Sequence, residues 1–211
     1  ICMKTVIDTD SWKRKEHYEF FSRYEEPFFG ITTNVDCTKA YKRAKGMDMS
    51  FFLYYMHKSL VAVNTIEEFK HRIEEGEPVV YDIIHGSTTV QNSDELFSFA
   101  FLQYDKDFNA FYRHSKNAVE KAKLIKGIGA NEDNSRNDVI HYSTIPWISF
   151  TALTHERNFA RPDSIPKIAF GKYFPVADRL LLPISVNVHH GLMDGLHVGR
   201  YFELFQNLLN D

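Results

Sequence analysis

The chain has 211 residues, enough to bury a full core, and a net charge of -3 scattered over both signs. That pattern offers no basic stripe to nucleic acid and no polybasic cluster to a membrane surface, and no apolar run approaches the roughly 20 residues of a membrane-spanning helix. Two cysteines, Cys2 and Cys37, argue against a disulfide framework, and no charged leader with an apolar core opens the chain, so a cytoplasmic, unexported protein is expected.

Helix and strand patterns then alternate without a linker. Ser11 stands as the N-cap of an amphipathic helix over residues 11–24, in which His17, Phe20, Phe21 and Tyr24 recur at helical spacing until Pro27. Phe29, Ile31, Thr33 and Val35 alternate with period two, as in a half-buried strand. Residues 49–64 are too long and too uniformly apolar for a strand and read as a buried helix. Further strands are expected at 79–84, 96–104, 146–153, 167–174 and 179–188, with a helix from about Lys106 to Lys123 among them. The Gly/Asn-rich stretch 127–138 reads as a surface loop. Val198, Phe202, Phe205 and Leu209 close the chain as an amphipathic helix. With no repeat and no low-complexity tract, one α/β domain over residues 1–211 is expected. The 18 Phe and 11 Tyr suit core anchors or a pocket for a flat organic ligand.

Several chemistries lack their signatures. There is no Gly-rich phosphate loop, dinucleotide fingerprint, Cys-x-x-Cys, His-Glu-x-x-His or Gly-x-Ser-x-Gly elbow, which sets aside nucleotide hydrolysis, hydride transfer, a Cys-rich zinc site and an ordinary serine hydrolase. The segment HHGLMDG, residues 189–195, instead places two histidines and an aspartate at a strand-to-helix corner where Gly191 and Gly195 permit a tight turn. Alternation along a strand sends His189 and His190 to opposite faces, so at most one serves a given site. The residues alone leave three readings open: a packed histidine, a metal site of His189, Asp194 and His197, or an imidazole presented to a cleft.

HHGLMDG resembles the His-His-x-x-x-Asp-Gly signature of CoA-dependent acyltransferases, dihydrolipoamide acyltransferase cores and peptide-synthetase condensation domains. The stretch LLLPISVNVHHGLMDGLHVGR, together with SWKRKEHYEFF at 11–21, EGEPVVYDIIH at 75–85, STIPWISFTAL at 143–153 and FGKYF at 170–174, resembles the chloramphenicol acetyltransferase family in order and spacing over nearly the whole chain. The resemblance implies a two-layer α/β (α+β) fold, a mixed, mainly antiparallel sheet flanked by helices. It implies acetyl-CoA as cosubstrate, no metal, O-acetylation of chloramphenicol and hence antibiotic resistance. It also implies a homotrimer with interfacial sites, His190 coming from one chain and most of the acceptor pocket from its neighbour.

Site roles follow by the same resemblance. His190 is the general base that takes the acceptor hydroxyl's proton as it attacks the thioester, and Ser143 donates a hydrogen bond to the tetrahedral oxyanion. Asp194 pairs with Arg14 on the first helix, joining the two ends of the chain beside the base. Trp147, Lys172 and Tyr173 line the CoA channel, while Phe21, Thr89, Phe97, Leu153 and His155 fall at acceptor-pocket positions. The chain departs from the family's pattern at His155 and Arg157, which replace apolar pocket residues, and at Leu153, Ala169, Gln91 and Phe52. Those departures motivate two alternatives: the same chemistry on another hydroxyl acceptor, and a catalytically silent, ligand-sequestering module.

Overall fold

The computed structural model of the chain describes residues 3–129, 132–157 and 163–211. Its elements in order are β1 (Lys4–Val6), α1 (Lys15–Phe21), β2 (Phe28–Asp36), α2 (Thr38–Gly46), α3 (Phe51–Thr65), β3 (His71–Glu74), β4 (Glu77–Tyr81) and β5 (His85–Gln91). They continue with β6 (Phe97–Leu102), α4 (Phe108–Lys123), β7 (Val139–Ile145), β8 (Lys167–Gly171), β9 (Phe174–Val176), β10 (Arg179–His189) and α5 (Gly195–Asn210). The main sheet runs β2-β10-β8-β7-β5-β6, and β9 pairs with β10 where β8 leaves off. Parallel pairs β5/β7 and β7/β8 sit among antiparallel ones, so the sheet is mixed and mainly antiparallel, as expected. A second, three-stranded sheet has the order β1-β4-β3.

Helix α3 is the hub, packed against α2, α4 and α5. Ser50 starts it by accepting the Leu53 N–H at 3.4 Å, and its side chains from Phe51 to Val63 are mostly buried, as its apolar composition requires. The Ser59 hydroxyl sits 2.8 Å from the Tyr142 hydroxyl and 2.7 Å from that of Tyr201, tying α3 to β7 and α5 inside the core. Arg72, 1% exposed, donates to the carbonyls of Phe69, His71, Asn137 and Val139 and so fixes the start of β7.

Several elements differ from their sequence-based bounds. Helix α1 begins at Lys15, because the Ser11 hydroxyl donates to Asp8 in the preceding turn at 2.8 Å and does not cap the helix. The strand expected at 146–153 lies one block earlier, as β7. Pro146 supplies no N–H to a ladder, and the following turn is held by Lys172 N–H donating to the Ile148 carbonyl at 2.7 Å. The expected strand 167–174 is two strands, β8 and β9, which pair with successive parts of β10. Helix α2 and strands β1, β3 and β5 have no counterpart in the sequence reading; β5 is rich in small polar residues and lacks apolar alternation. Cys37 is buried and free, and Cys2 lies outside the described residues. Among the described residues no helix is long and apolar enough to cross a membrane.

Candidate active site

At the end of β10 the two histidines part. His189 faces Phe28 edge-on and its Nδ1 accepts the Gly191 N–H at 3.1 Å, an approach so close that a Cβ on residue 191 would meet the ring at 2.9 Å. Burial, then the charge of Arg157, pushes the His189 pKa down to about 4, so the ring is a neutral structural element. His190 instead stacks on Phe21 with centroids 4.0 Å apart and touches Phe29 at 4.6 Å. Its Nδ1 is buried with no hydrogen-bond partner.

Arg14 holds this corner from α1. Its guanidinium donates to Asp194 Oδ2 at 2.9 Å, to the His190 carbonyl at 2.8 Å and to the Gly191 carbonyl at 3.1 Å. Asp194 in turn caps α5, accepting the Leu196 N–H at 3.1 Å while His197 Nδ1 accepts the Asp194 N–H at 3.1 Å. Burial alone would raise the Asp194 pKa; the Arg14 hydrogen bond and charge, with the Leu196 N–H, outweigh it and hold the carboxyl below its usual range. One cation thus binds the aspartate and the successive carbonyls of His190 and Gly191.

A second group of residues lies elsewhere on the sheet. Ser143, Thr89, Phe97 and His155 line a cleft of about 210 Å³, together with His141 and Lys167. Thr89 also borders a larger cavity of about 500 Å³, walled by Trp147, Tyr173, Tyr41 and Phe51 and edged by Lys172 and Lys116. Ser143 pairs with Ala169 and Ala169 with Ser185, whereas His190 lies five positions beyond Ser185. At about 3.3 Å per residue and about 4.8 Å per strand, Ser143 and His190 are roughly 19 Å apart within one chain. Leu153 is half-buried and does not line the Ser143 cleft, and Phe21 stays with His190.

The comparisons with known proteins agree across the chain. The family model described as chloramphenicol acetyltransferase matches residues 3–206. A chloramphenicol acetyltransferase of Escherichia coli is 30% identical over 98% of this chain and 94% of its own length. The chain belongs to the chloramphenicol acetyltransferase family. A solved chloramphenicol acetyltransferase superimposes with a TM-score of 0.92 at 30% identity, covering 98% of this chain and 100% of the other. The dihydrolipoamide acetyltransferase of Azotobacter vinelandii shares the fold alone, with a TM-score of 0.66 at 18% identity over 93% of this chain and 86% of its own. The chain is accordingly an acyltransferase of the chloramphenicol acetyltransferase fold.

Within this family member, the trio proposed for a metal is not assembled. His189 Nδ1 is occupied by Gly191, and His197 uses Nδ1 on the Asp194 backbone and Nε2 toward Glu68 Oε1 at 3.2 Å. Among the described residues no group of three or more His, Cys, Asp or Glu side chains is placed to hold a metal ion. His141 and Lys167 escaped the sequence reading. His141 stands two residues before Ser143 and so shares its face of β7, a signal hidden by misplacing that strand. Lys167 stands opposite His141 in the β7/β8 register.

Proposed function

We propose that the chain transfers acetyl from acetyl-CoA directly to the hydroxyl of a small acceptor, at a site completed by a second copy, with His190 as the base. The acceptor oxygen attacks the thioester carbon as Nε2 of His190 takes its proton. The tetrahedral oxyanion is bonded by Ser143, the C–S bond breaks, and the proton passes from the imidazolium to the CoA thiolate. The products are an acetyl ester and free CoA, and no acyl-enzyme is needed because both substrates are held together. Trp147 and Tyr173 flank the pantetheine and adenine, and Lys172 meets phosphate. Each protomer is one domain, and the assembly is a cytoplasmic homotrimer.

The observation that carries this reading is the triple grip of Arg14 on Asp194 and on the two carbonyls beside His190. It spends an ion pair on orienting a loop that bears an imidazole with one nitrogen free, a use of charge that folding alone does not require. Arg14 and Asp194 are therefore positioning residues. The roughly 19 Å gap supports the interfacial site, because a single chain does not bring His190 to Ser143. Kinship supplies chloramphenicol as the acceptor. A second reading, another hydroxyl compound, is favoured by the polar groups His141, His155 and Lys167 around Ser143.

Release of CoA thiol from acetyl-CoA, with and without chloramphenicol, tests the reading. Drug-dependent release supports both the chemistry and the acceptor. Protein that binds acetyl-CoA but releases no thiol with the drug shifts the search to other hydroxyl compounds, and protein that fails to bind acetyl-CoA removes the reading.

A further inference from the structure

The Ser143 cleft sets the imidazoles of His141 and His155 among the rings of Phe97, Phe99 and Tyr142. His141 is neutral at pH 7, because burial and then the charge of Lys167 push its pKa down to about 4, and burial lowers that of His155 in the same way. A neutral imidazole offers one donor and one acceptor, the pairing that a hydroxyl both needs and returns. Thr89 and Ser87 add hydroxyls of their own, and Phe97 and Phe99, edge to face at 5.6 Å, add apolar surface for C–H groups.

Charge argues against an anionic acceptor. The Lys167 ammonium is already bonded to Asp163, and Arg157 lies against Phe28, 3.7 Å from Glu26 and 3.9 Å from Asp163. Glu156 lines the cleft as well. Lys167 and Glu156 are the charged groups among the residues that line the cleft, which leaves no surplus positive charge there for a carboxylate or phosphate. The cleft's volume of about 210 Å³ suits a compact molecule.

We propose that this cleft seats a neutral, multiply hydroxylated acceptor of about monosaccharide size, a sugar or polyol, with hydroxyls bonded to His155 and His141 and one hydroxyl presented beside Ser143. The proposal rests on the acyl-transfer reading above and gives it a substrate class.

The test is thiol release from acetyl-CoA by the full chain with methyl glucoside, xylitol, lactate and chloramphenicol as separate acceptors, alongside calorimetric titration with acetyl-CoA. The expected result is a kcat/KM for at least one of the two neutral polyhydroxylated probes tenfold or more above those for chloramphenicol and lactate. His155→Leu should raise that probe's KM about tenfold without weakening acetyl-CoA binding, and His155→Gln should restore part of the loss. Chloramphenicol as the best acceptor, with His155→Leu leaving its kinetics unchanged, overturns the substrate class and leaves acyl transfer standing. Preference for lactate overturns it in favour of an anion, and intact acetyl-CoA binding with no acceleration by any probe also overturns it. Loss of acetyl-CoA binding in the wild-type chain fails the underlying reading instead.

Discussion

The 500 Å³ cavity and the 210 Å³ cleft meet at Thr89; apolar surface dominates both, and their polar groups differ. The larger is walled by rings and edged by lysines, and it contains all three residues, Trp147, Lys172 and Tyr173, that the family resemblance assigns to CoA. The smaller gathers imidazoles and an ion-paired ammonium around Ser143, two of which the resemblance did not supply. A cosubstrate that stays the same fixes the walls around it, whereas the acceptor end is free to change with the compound it serves. Substitutions in the large cavity should therefore act alike on every acceptor, and substitutions in the cleft should separate one acceptor from another.

The largest expected effect belongs to neither cavity but to the His190 corner. His190→Ala should lower turnover by roughly 10³-fold or more with any acceptor, while calorimetry finds acetyl-CoA affinity unchanged. His189→Gln should cost far less, and equal losses from the two would erase the distinction between base and structural ring. Ser143→Ala should lower kcat by roughly 10²-fold in initial-rate measurements, and a rate within a factor of two of wild type would remove it from the mechanism. Trp147→Ala should raise the KM for acetyl-CoA about tenfold, by the same factor for every acceptor. A change seen with only one acceptor would break the division between the two cavities.

A separate effect is on stability. His141 and His189 are each held down to about 4, chiefly by burial, whereas in the unfolded chain they titrate near 6.5. The native state keeps both rings neutral, and the unfolded chain takes up protons first as pH falls. Their stabilising contribution is complete above about pH 6.5 and is lost progressively toward pH 4. The thermal midpoint should fall across that window, and His189→Gln should flatten the dependence. An identical slope in the variant would contradict the neutral, buried assignment.

Much of this was legible in the sequence because its signals are local. The period-two pattern of β2, the apolar length of α3 and the corner HHGLMDG each reveal an element or a turn without knowledge of its neighbours. The parting of His189 and His190 followed from strand alternation, and their partners Phe28 and Phe29 are likewise consecutive residues on β2. What was not legible depends on packing at a distance. Strand β5 has no apolar alternation and is a strand because β6 and β7 pair with it. Strand β7 was displaced because PWISFTAL is the more apolar stretch, although Pro146 ends the ladder before it begins. That displacement hid His141, and with it the polar character of the cleft. Ser11 illustrates the same limit at a helix end, since its hydroxyl was already committed to Asp8.

The central claim is that base and oxyanion donor come from different copies of the chain, and mixed assemblies test it most directly. His190→Ala and Ser143→Ala chains would be co-expressed in equal amounts, purified as mixed oligomers and assayed for CoA-thiol release with the best acceptor. If each site joins His190 of one copy to Ser143 of the next, about one quarter of the interfaces in a random mixture carry both intact groups, and turnover should recover to about a quarter of wild type. Activity that stays at the mean of the two parent variants would contradict the interfacial site.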